Sequence, residues 1–148
     1  MTSTIHASAV LVSAHAVLIR GPSGAGKSQL AWALIEAAAQ GVWPFARLVG
    51  DDRVFVEAQH GRLIVRPAPE LAGLIEIRGL GIRRLPYEPI AVAGLVVDLA
   101  AADAGRLPAR EALRAEILGI TLPRLAVAPS HQGLPALLAW LGTTPASD

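Results

Sequence analysis

The stretch Gly21-Pro22-Ser23-Gly24-Ala25-Gly26-Lys27-Ser28 fits the pattern G-x-x-x-x-G-K-[ST] at every fixed position. Its chemistry is phosphate binding. Glycines let successive backbone N–H groups turn inward to form an anion nest, and a helix starting at the end of the loop adds its positive terminus. The Lys27 ammonium would bridge phosphate oxygens, and the Ser28 hydroxyl would ligate Mg²⁺. The chain has twelve arginines and a single lysine, and that lysine is Lys27. An ammonium can fold back onto a phosphate where a forked guanidinium is bulkier. Asp51 and Asp52 follow an apolar stretch in Gly-Asp-Asp-Arg (50–53). One carboxylate could deprotonate a nucleophile while the other holds a metal, provided the backbone bends so that both face one site; an Asp-rich turn or cap is the bland alternative. In Leu-Ile-Glu-Ile-Arg-Gly-Leu-Gly-Ile (74–82), Glu76 and Arg78 would share one face of an extended chain, suited to Mg²⁺ and phosphate respectively. An ion pair on a bulge would explain them equally well. His6 lies in an apolar run, where a lone histidine is more often structural. No two of the four histidines have metal-ligand spacing, and His15, His60 and His131 fall in turns or loops. Arg83-Arg84 reads as a docking patch or a solvated turn.

These residues need elements to hold them. The pattern predicts strands over 5–12 and 16–20, the glycine loop, and a helix over 28–40 closed by Gly41. A short strand over 45–49 leads into the aspartates. Residues 53–57 and 62–66 read as a hairpin around His60-Gly61, and 69–74 as one or two helical turns. Residues 76–82 read as a functional loop or bent strand, 90–99 as a buried strand, 111–118 as a short helix, 125–128 as an edge strand and 134–141 as a helix. Strand, glycine loop and helix, followed mostly by strands, predict an α/β domain without the regular alternation of a doubly wound sheet.

At 148 residues, 53% hydrophobic, the chain is long enough for one domain with a sizeable core and too short for two ordinary ones. A net charge of +1 with no basic run argues against nucleic-acid binding. The absence of cysteine excludes disulfides and thiolate metal sites. The uncharged run from Thr2 to Ile19 contains two histidines and lacks a basic flank, so it reads as buried strands rather than a signal or a membrane span.

Ile5-His6 with Val10, Gly21 to Ser28, Asp51-Asp52-Arg53-Val54 and residues 74–82 follow one another in an order that resembles the catalytic domain of the HPr kinase/phosphorylase family, most specifically in the last stretch. The resemblance covers about residues 5–82, and its short form is similar to those of alphaproteobacteria. It implies a single P-loop α/β domain over 1–148, similar to the phosphoenolpyruvate carboxykinase-like kinase fold, without the family's usual separate N-terminal domain. It implies ATP and Mg²⁺ as cofactors, an HPr-like phosphocarrier as partner, a cytoplasmic location and a homo-oligomer, commonly a hexamer. By position it implies an active-site histidine at His6, the P-loop lysine at Lys27, Mg²⁺ ligands at Ser28 and Glu76, and a proton acceptor for the substrate serine within the pair Asp51-Asp52. Arg78 belongs to the signature loop.

The expected function is therefore Mg·ATP-dependent phosphorylation of a serine on the carrier, with reversal by phosphorolysis in many family members. A non-catalytic nucleotide sensor and a small-molecule P-loop kinase are the alternatives. Two departures stand out. Gln29 follows the P-loop serine where the family commonly has an acid. The late stretch 125–130 contains no arginine where the family places a functional one, Arg124 lying nearby but out of register.

Overall fold

The structure is a computed structural model that describes residues 1–43 and 45–146. The apolar run at the N-terminus forms two strands, β1 (Thr2–Ile5) and β2 (Ser8–Val12), where the pattern predicts one over 5–12. The cause is topological. β1 pairs with β5 (Val54–Gln59), whereas β2 lies between β3 (His15–Arg20) and β4 (Ala46–Gly50). One straight strand cannot serve both sets of neighbours, so the chain bends at His6. That corrects the expectation of a histidine in mid-strand: His6 is exposed on the bend.

With β6 (Arg62–Pro67) and β9 (Ala91–Asp98) the main sheet runs β1-β5-β6-β9-β3-β2-β4. Most neighbours are antiparallel. β9 is the exception, running parallel to β3 on one side and, through Val96 to Asp98, parallel to β11 (Ile120–Ala126) on the other. Its first residues pair with β6 instead. This mixed sheet agrees with the expected irregular α/β domain.

The helix after the glycine loop, α1 (Lys27–Ala39), lies on one face of the sheet. Leu30, Ala31 and Leu34 pack there on Val17, Ile19, Leu95 and Val97, joined by Leu137 of α2 (Gly133–Gly142). Leu18 and Val96, one position along from Val17 and Val97, point to the other face and pack with Val56, Leu63, Val65 and Leu122. Burying a leucine such as Leu34, which has no exposed surface, contributes about 1.5–3 kcal/mol. Gly41, at φ 83°, ends α1 as expected, and the Val42 N–H returns to the Ala37 carbonyl at 2.9 Å.

Local turn chemistry explains the hairpins. His60 and Gly61 both take left-handed backbone, φ 53° and 77°, which matches a two-residue turn to the twist of β5 and β6. Leu118 and Gly119, φ 51° and 79°, do the same between β10 (Arg114–Ile117) and β11. The helix expected over 111–118 is therefore a single tight turn, Arg110–Leu113, followed by a strand. Ala115 and Ile117 alternate onto the core, a period of two that outweighs the short helical spacing. The edge strand expected at 125–128 is the end of β11. The helical turn expected at 69–74 is confined to Pro69–Leu71.

Residues 74–84 form a separate two-stranded ribbon, β7 (Leu74–Ile77) and β8 (Gly81–Arg84). It is anchored by Ile75, 1% exposed, and by Ile77, both in the cluster beneath α1. The ribbon thus projects beside the glycine loop. Among the described residues no helix is long and apolar enough to cross a membrane.

Candidate functional site

β3 carries the chain straight into the glycine loop. Gly21 approaches Leu99, the residue that follows β9, so closely that a Cβ there would lie 3.1 Å from the Leu99 Cβ and 3.3 Å from its carbonyl oxygen. Gly24 and Gly26 have φ of 83° and 100°, conformations open to glycine at little cost. The loop closes with the Ala25 N–H on the Pro22 carbonyl at 3.0 Å, and α1 begins at once with Lys27. The N–H groups of its first turn have no partner within the helix, which is the arrangement that anions bind at helix starts. The Lys27 ammonium folds back to donate to the carbonyls of Gly21 and Pro22 at 2.8 and 3.3 Å. Those are weak holds for a cation, and the same side chain has the reach to exchange them for an anion above the loop.

The aspartate pair divides at a bend. Asp52 takes φ 71°, a left-handed conformation that aspartate tolerates, and the Arg53 N–H donates to the Asp51 carbonyl at 2.8 Å. The two side chains therefore part. Asp51 turns inward, 4% exposed, and receives three donors. The Ser8 hydroxyl donates to it at 2.5 Å, the Ser28 hydroxyl lies 2.7 and 2.8 Å from its two oxygens, and the Glu76 N–H donates at 3.2 Å. One carboxylate thus ties together β2, the start of α1 and the ribbon. Since the Ser28 proton is directed to Asp51, the Ser28 oxygen keeps its lone pairs for a cation. Asp52 is exposed and lines the cleft.

That cleft measures about 650 Å³. The loop and helix start form one wall (Ser23, Gly24, Gly26 to Gln29), the ribbon residues 76–81 form the other, and Asp52 lies between them. Glu76 and Arg78 both line it, but not as neighbours on one extended face. β7 ends at Ile77, and Arg78 enters a turn closed by the Leu80 N–H on the Ile77 carbonyl at 2.9 Å. Gly79 and Gly81, φ 86° and 90°, supply the backbone for that turn, and no atom lies within 4 Å of where their Cβ would stand. Leu80 lines the cleft and is exposed, and Ile82, Arg83 and Arg84 follow it along β8, exposed as well. His6 does not line the cleft. It stands on the bend two residues before Ser8, the residue that holds Asp51.

The groups present suit a magnesium–nucleotide complex. Among the described residues no cluster of three or more His, Cys, Asp or Glu could hold a metal unaided. Mg²⁺ usually keeps several waters and is held by one or two side chains together with the phosphates, which matches Ser28 and Glu76 beside a phosphate cradle.

Ser8 is a site residue that sequence reasoning does not single out, because its signal, a small hydroxyl in a buried strand, is common. A second omission is the network around Asp98. Arg20 grips Asp98 with two hydrogen bonds, Nε to Oδ1 at 2.7 Å and an Nη to Oδ2 at 2.8 Å; Arg124 Nε donates to it at 2.5 Å. Arg124 further holds both oxygens of Asp103, at 2.8 and 3.0 Å, and the Ala112 carbonyl at 2.9 Å. Arg124 is therefore engaged in structure rather than directed into the cleft. The legible signal was Asp98 itself, a lone acid closing the apolar strand from Ala91. Burial raises the Asp98 pKa, but the hydrogen bonds from Arg20 and Arg124 outweigh it and hold the carboxyl below its ordinary value. The hydrogen bond from Arg124 likewise lowers Asp103.

Residues 1–85 match the family model described as HPr Serine kinase C-terminal domain. The HPr kinase/phosphorylase of Geobacillus thermodenitrificans is 36% identical over 140 residues, covering 85% of this chain and 42% of the relative. That of Lacticaseibacillus casei is 48% identical over 67 residues, 45% of this chain and 19% of the relative. The chain thus spans less than half the length of the curated relatives it matches. A solved structure titled as the Hpr(Ser) kinase/phosphatase from Coxiella burnetii superposes with a TM-score of 0.75 at 26% identity, covering 95% of this chain and 94% of that one.

Proposed function

The chain belongs to the HPr serine kinase C-terminal domain family, and from that premise we propose that it is a Mg·ATP-dependent protein kinase that phosphorylates a serine of an HPr-like phosphocarrier. One observation carries the reading: the aspartate pair is split, with Asp51 locked to Ser8, Ser28 and the Glu76 N–H, so that Asp52 alone of the two faces the phosphate cleft. Asp52 is then the proton acceptor for the substrate hydroxyl, and Asp51 orients Ser28.

Bound Mg²⁺ would neutralise charge on the transferring phosphoryl group. The loop N–H groups hold phosphate oxygens, and Lys27 leaves the Gly21 and Pro22 carbonyls to join them. Ser28 and Glu76 offer oxygens to the metal. Asp52 takes the serine proton as the hydroxyl oxygen bonds to the γ-phosphorus and the bond to the ADP oxygen breaks. Arg78 stands where it can meet phosphate charge, and the exposed rim of Leu80, Ile82, Arg83 and Arg84 is where the carrier would dock. Positioning and charge stabilisation supply most of the rate in such transfers. His6 enters this scheme only through its place in the family's motif. Arg124, held by Asp98 and Asp103, is not free to serve phosphorolysis, so the forward reaction dominates in this reading.

The test is phosphotransfer from Mg·ATP to an HPr-like carrier from the same source, read by intact mass. One added phosphate, lost in a carrier Ser→Ala control and in Lys27→Ala, is the expected result. Tight nucleotide binding without transfer would overturn the kinase reading in favour of a nucleotide sensor. Transfer to a metabolite instead would make it a small-molecule kinase.

A further inference from the structure

Asp98 and Arg20 end adjacent parallel strands, directly opposite one another, one residue before Leu99 and Gly21. Their ion pair and the Arg124–Asp103 pair lie on the sheet face away from α1, since Leu18 and Val96, two positions earlier on the same strands, point to that side. Four side chains from β3, β9, β11 and the loop after β9 form one chain of charge-assisted hydrogen bonds. Arg124 is well covered, with 12% of its side chain exposed, and Asp98 is nearly as deep at 15%.

The strand ends that this network grips are the floor of the phosphate loop. The Leu99 N–H donates to the Arg20 carbonyl at 2.8 Å, and Leu99 presses on Gly21. The Gly21 carbonyl in turn holds the Lys27 ammonium at 2.8 Å. On the other side of β9, the Val127 N–H donates to the Asp98 carbonyl and the Ala101 N–H to the Val127 carbonyl, each at 2.8 Å. A continuous path of short contacts therefore runs from Asp103 and Arg124, through Asp98, to Gly21 and Lys27. Two cations and two anions leave no net charge on the path, so it cannot act by attracting phosphate at a distance. Both arginines already donate to carboxylates, so neither is free to bind the ligand directly.

We propose that Arg20, Asp98, Arg124 and Asp103 form a positioning clamp for the phosphate loop, which holds Gly21 and Lys27 in the arrangement that nucleotide binding requires and ties the segment from Ala100 to Arg124 to that loop. The inference rests on the nucleotide reading above and adds residues to it. A preformed loop avoids an ordering cost when nucleotide binds. Loosening the clamp weakens nucleotide in the ground and transition states alike, so the Michaelis constant for Mg·ATP rises while turnover stays nearly constant.

The experiment is calorimetric titration of the whole chain with Mg·ADP, alongside circular dichroism and a thermal midpoint for each variant. Wild type should bind and Lys27→Ala should bind much more weakly. Asp98→Asn and Arg124→Lys, which keep shape but break the fork geometry, should weaken binding about tenfold. Asp103→Asn, at the exposed end, should fold as wild type and weaken binding about threefold, so the test survives if Asp98→Asn does not fold. In phosphotransfer, the Michaelis constant for Mg·ATP should rise in parallel with turnover within about twofold of wild type. Folded clamp variants that bind as tightly as wild type, while Lys27→Ala loses binding, would overturn the clamp and leave the nucleotide reading standing. Lower turnover at an unchanged Michaelis constant would also overturn it, since that is the mark of a smaller folded fraction. A wild type that binds no nucleotide would remove both.

Discussion

The Ser28 hydroxyl stands 2.7 and 2.8 Å from the two carboxylate oxygens of Asp51. With Ser8 donating to the same carboxylate at 2.5 Å, Asp51 is tied into the fold, and its neighbour Asp52 is the one of the pair that lines the cleft; in the proposed function it is the one left to the substrate. The two aspartates should then fail differently. Asp52→Asn should leave Mg·ADP affinity within about twofold and the thermal midpoint unchanged, while transfer falls by 10²-fold or more, a typical contribution of a general base at about 10²–10⁴. Asp51→Asn places an amide among three donors and should destabilise the fold by about 1–3 kcal/mol and weaken Mg·ADP as well. Parallel titration calorimetry, thermal melts and transfer rates on the two variants separate the roles. An Asp52→Asn enzyme with near-normal transfer would rule out Asp52 as the base.

The turn that divides the aspartates starts from a crowded glycine. A Cβ at Gly50 would lie 2.8 Å from a Val54 methyl and 3.2 Å from the Pro67 Cα, and the latter is backbone that cannot rotate away. Gly50→Ala should therefore destabilise the protein by about 1–3 kcal/mol, the usual cost of overpacking. Chemical denaturation should show a lower midpoint at an unchanged slope. An alanine at Gly105, where no atom lies within 4 Å of the added carbon, is the neutral control.

Acid stability should carry the signature of Asp98. Burial pushes its carboxyl up and the hydrogen bonds from Arg20 and Arg124 pull it down further, leaving it below the ordinary 3.8. A carboxyl whose folded pKa is depressed binds fewer protons in the native state than in the unfolded one. Its contribution is present above pH 3.8 and is lost as pH falls through 3.8 towards the lowered folded value. Asp103 shifts in the same direction, but it is half exposed and solvent weakens its share. Thermal midpoints measured from pH 7 downward should fall below about pH 5, and Asp98→Asn should flatten that fall. Parallel pH curves for wild type and Asp98→Asn would contradict this.

The ribbon rim should matter to the protein substrate and not to the nucleotide. Leu80 and Ile82 are 66% and 64% exposed, far more than apolar side chains need to be unless something covers them. Ile82→Ser should raise the Michaelis constant for the carrier by about tenfold while leaving Mg·ADP affinity unchanged. Steady-state kinetics with each substrate varied in turn make the comparison, and an unchanged carrier constant would place docking elsewhere.

Legibility differed residue by residue. The glycine loop, α1 and the turn at His60-Gly61 could be read directly, because each depends on local backbone demands: left-handed positions, a helix start, a two-residue hairpin turn. Gly79 and Gly81 were legible as special for the same reason. Residues 111–118 pattern as a helix yet form a turn and a strand, because eight residues carry too little periodicity to separate the two. The actual strand is selected by its pairing with β11 across Leu118 and Gly119.

By itself the sequence determined the glycine loop, the helix behind it and the family motifs that contain Lys27, Ser28, Glu76 and the aspartate pair. Only the tertiary structure decided which aspartate faces the cleft, that His6 lies on a bend between strands with different partners, and that Arg124 belongs to Asp98 rather than to the site. The physical reason is common to all three. A local pattern sets backbone conformation, but the role of a side chain depends on which distant donor or acceptor the fold brings to it. Asp51 meets Ser8 from β2 and Asp98 meets Arg20 from β3 only once the sheet has chosen its strand order.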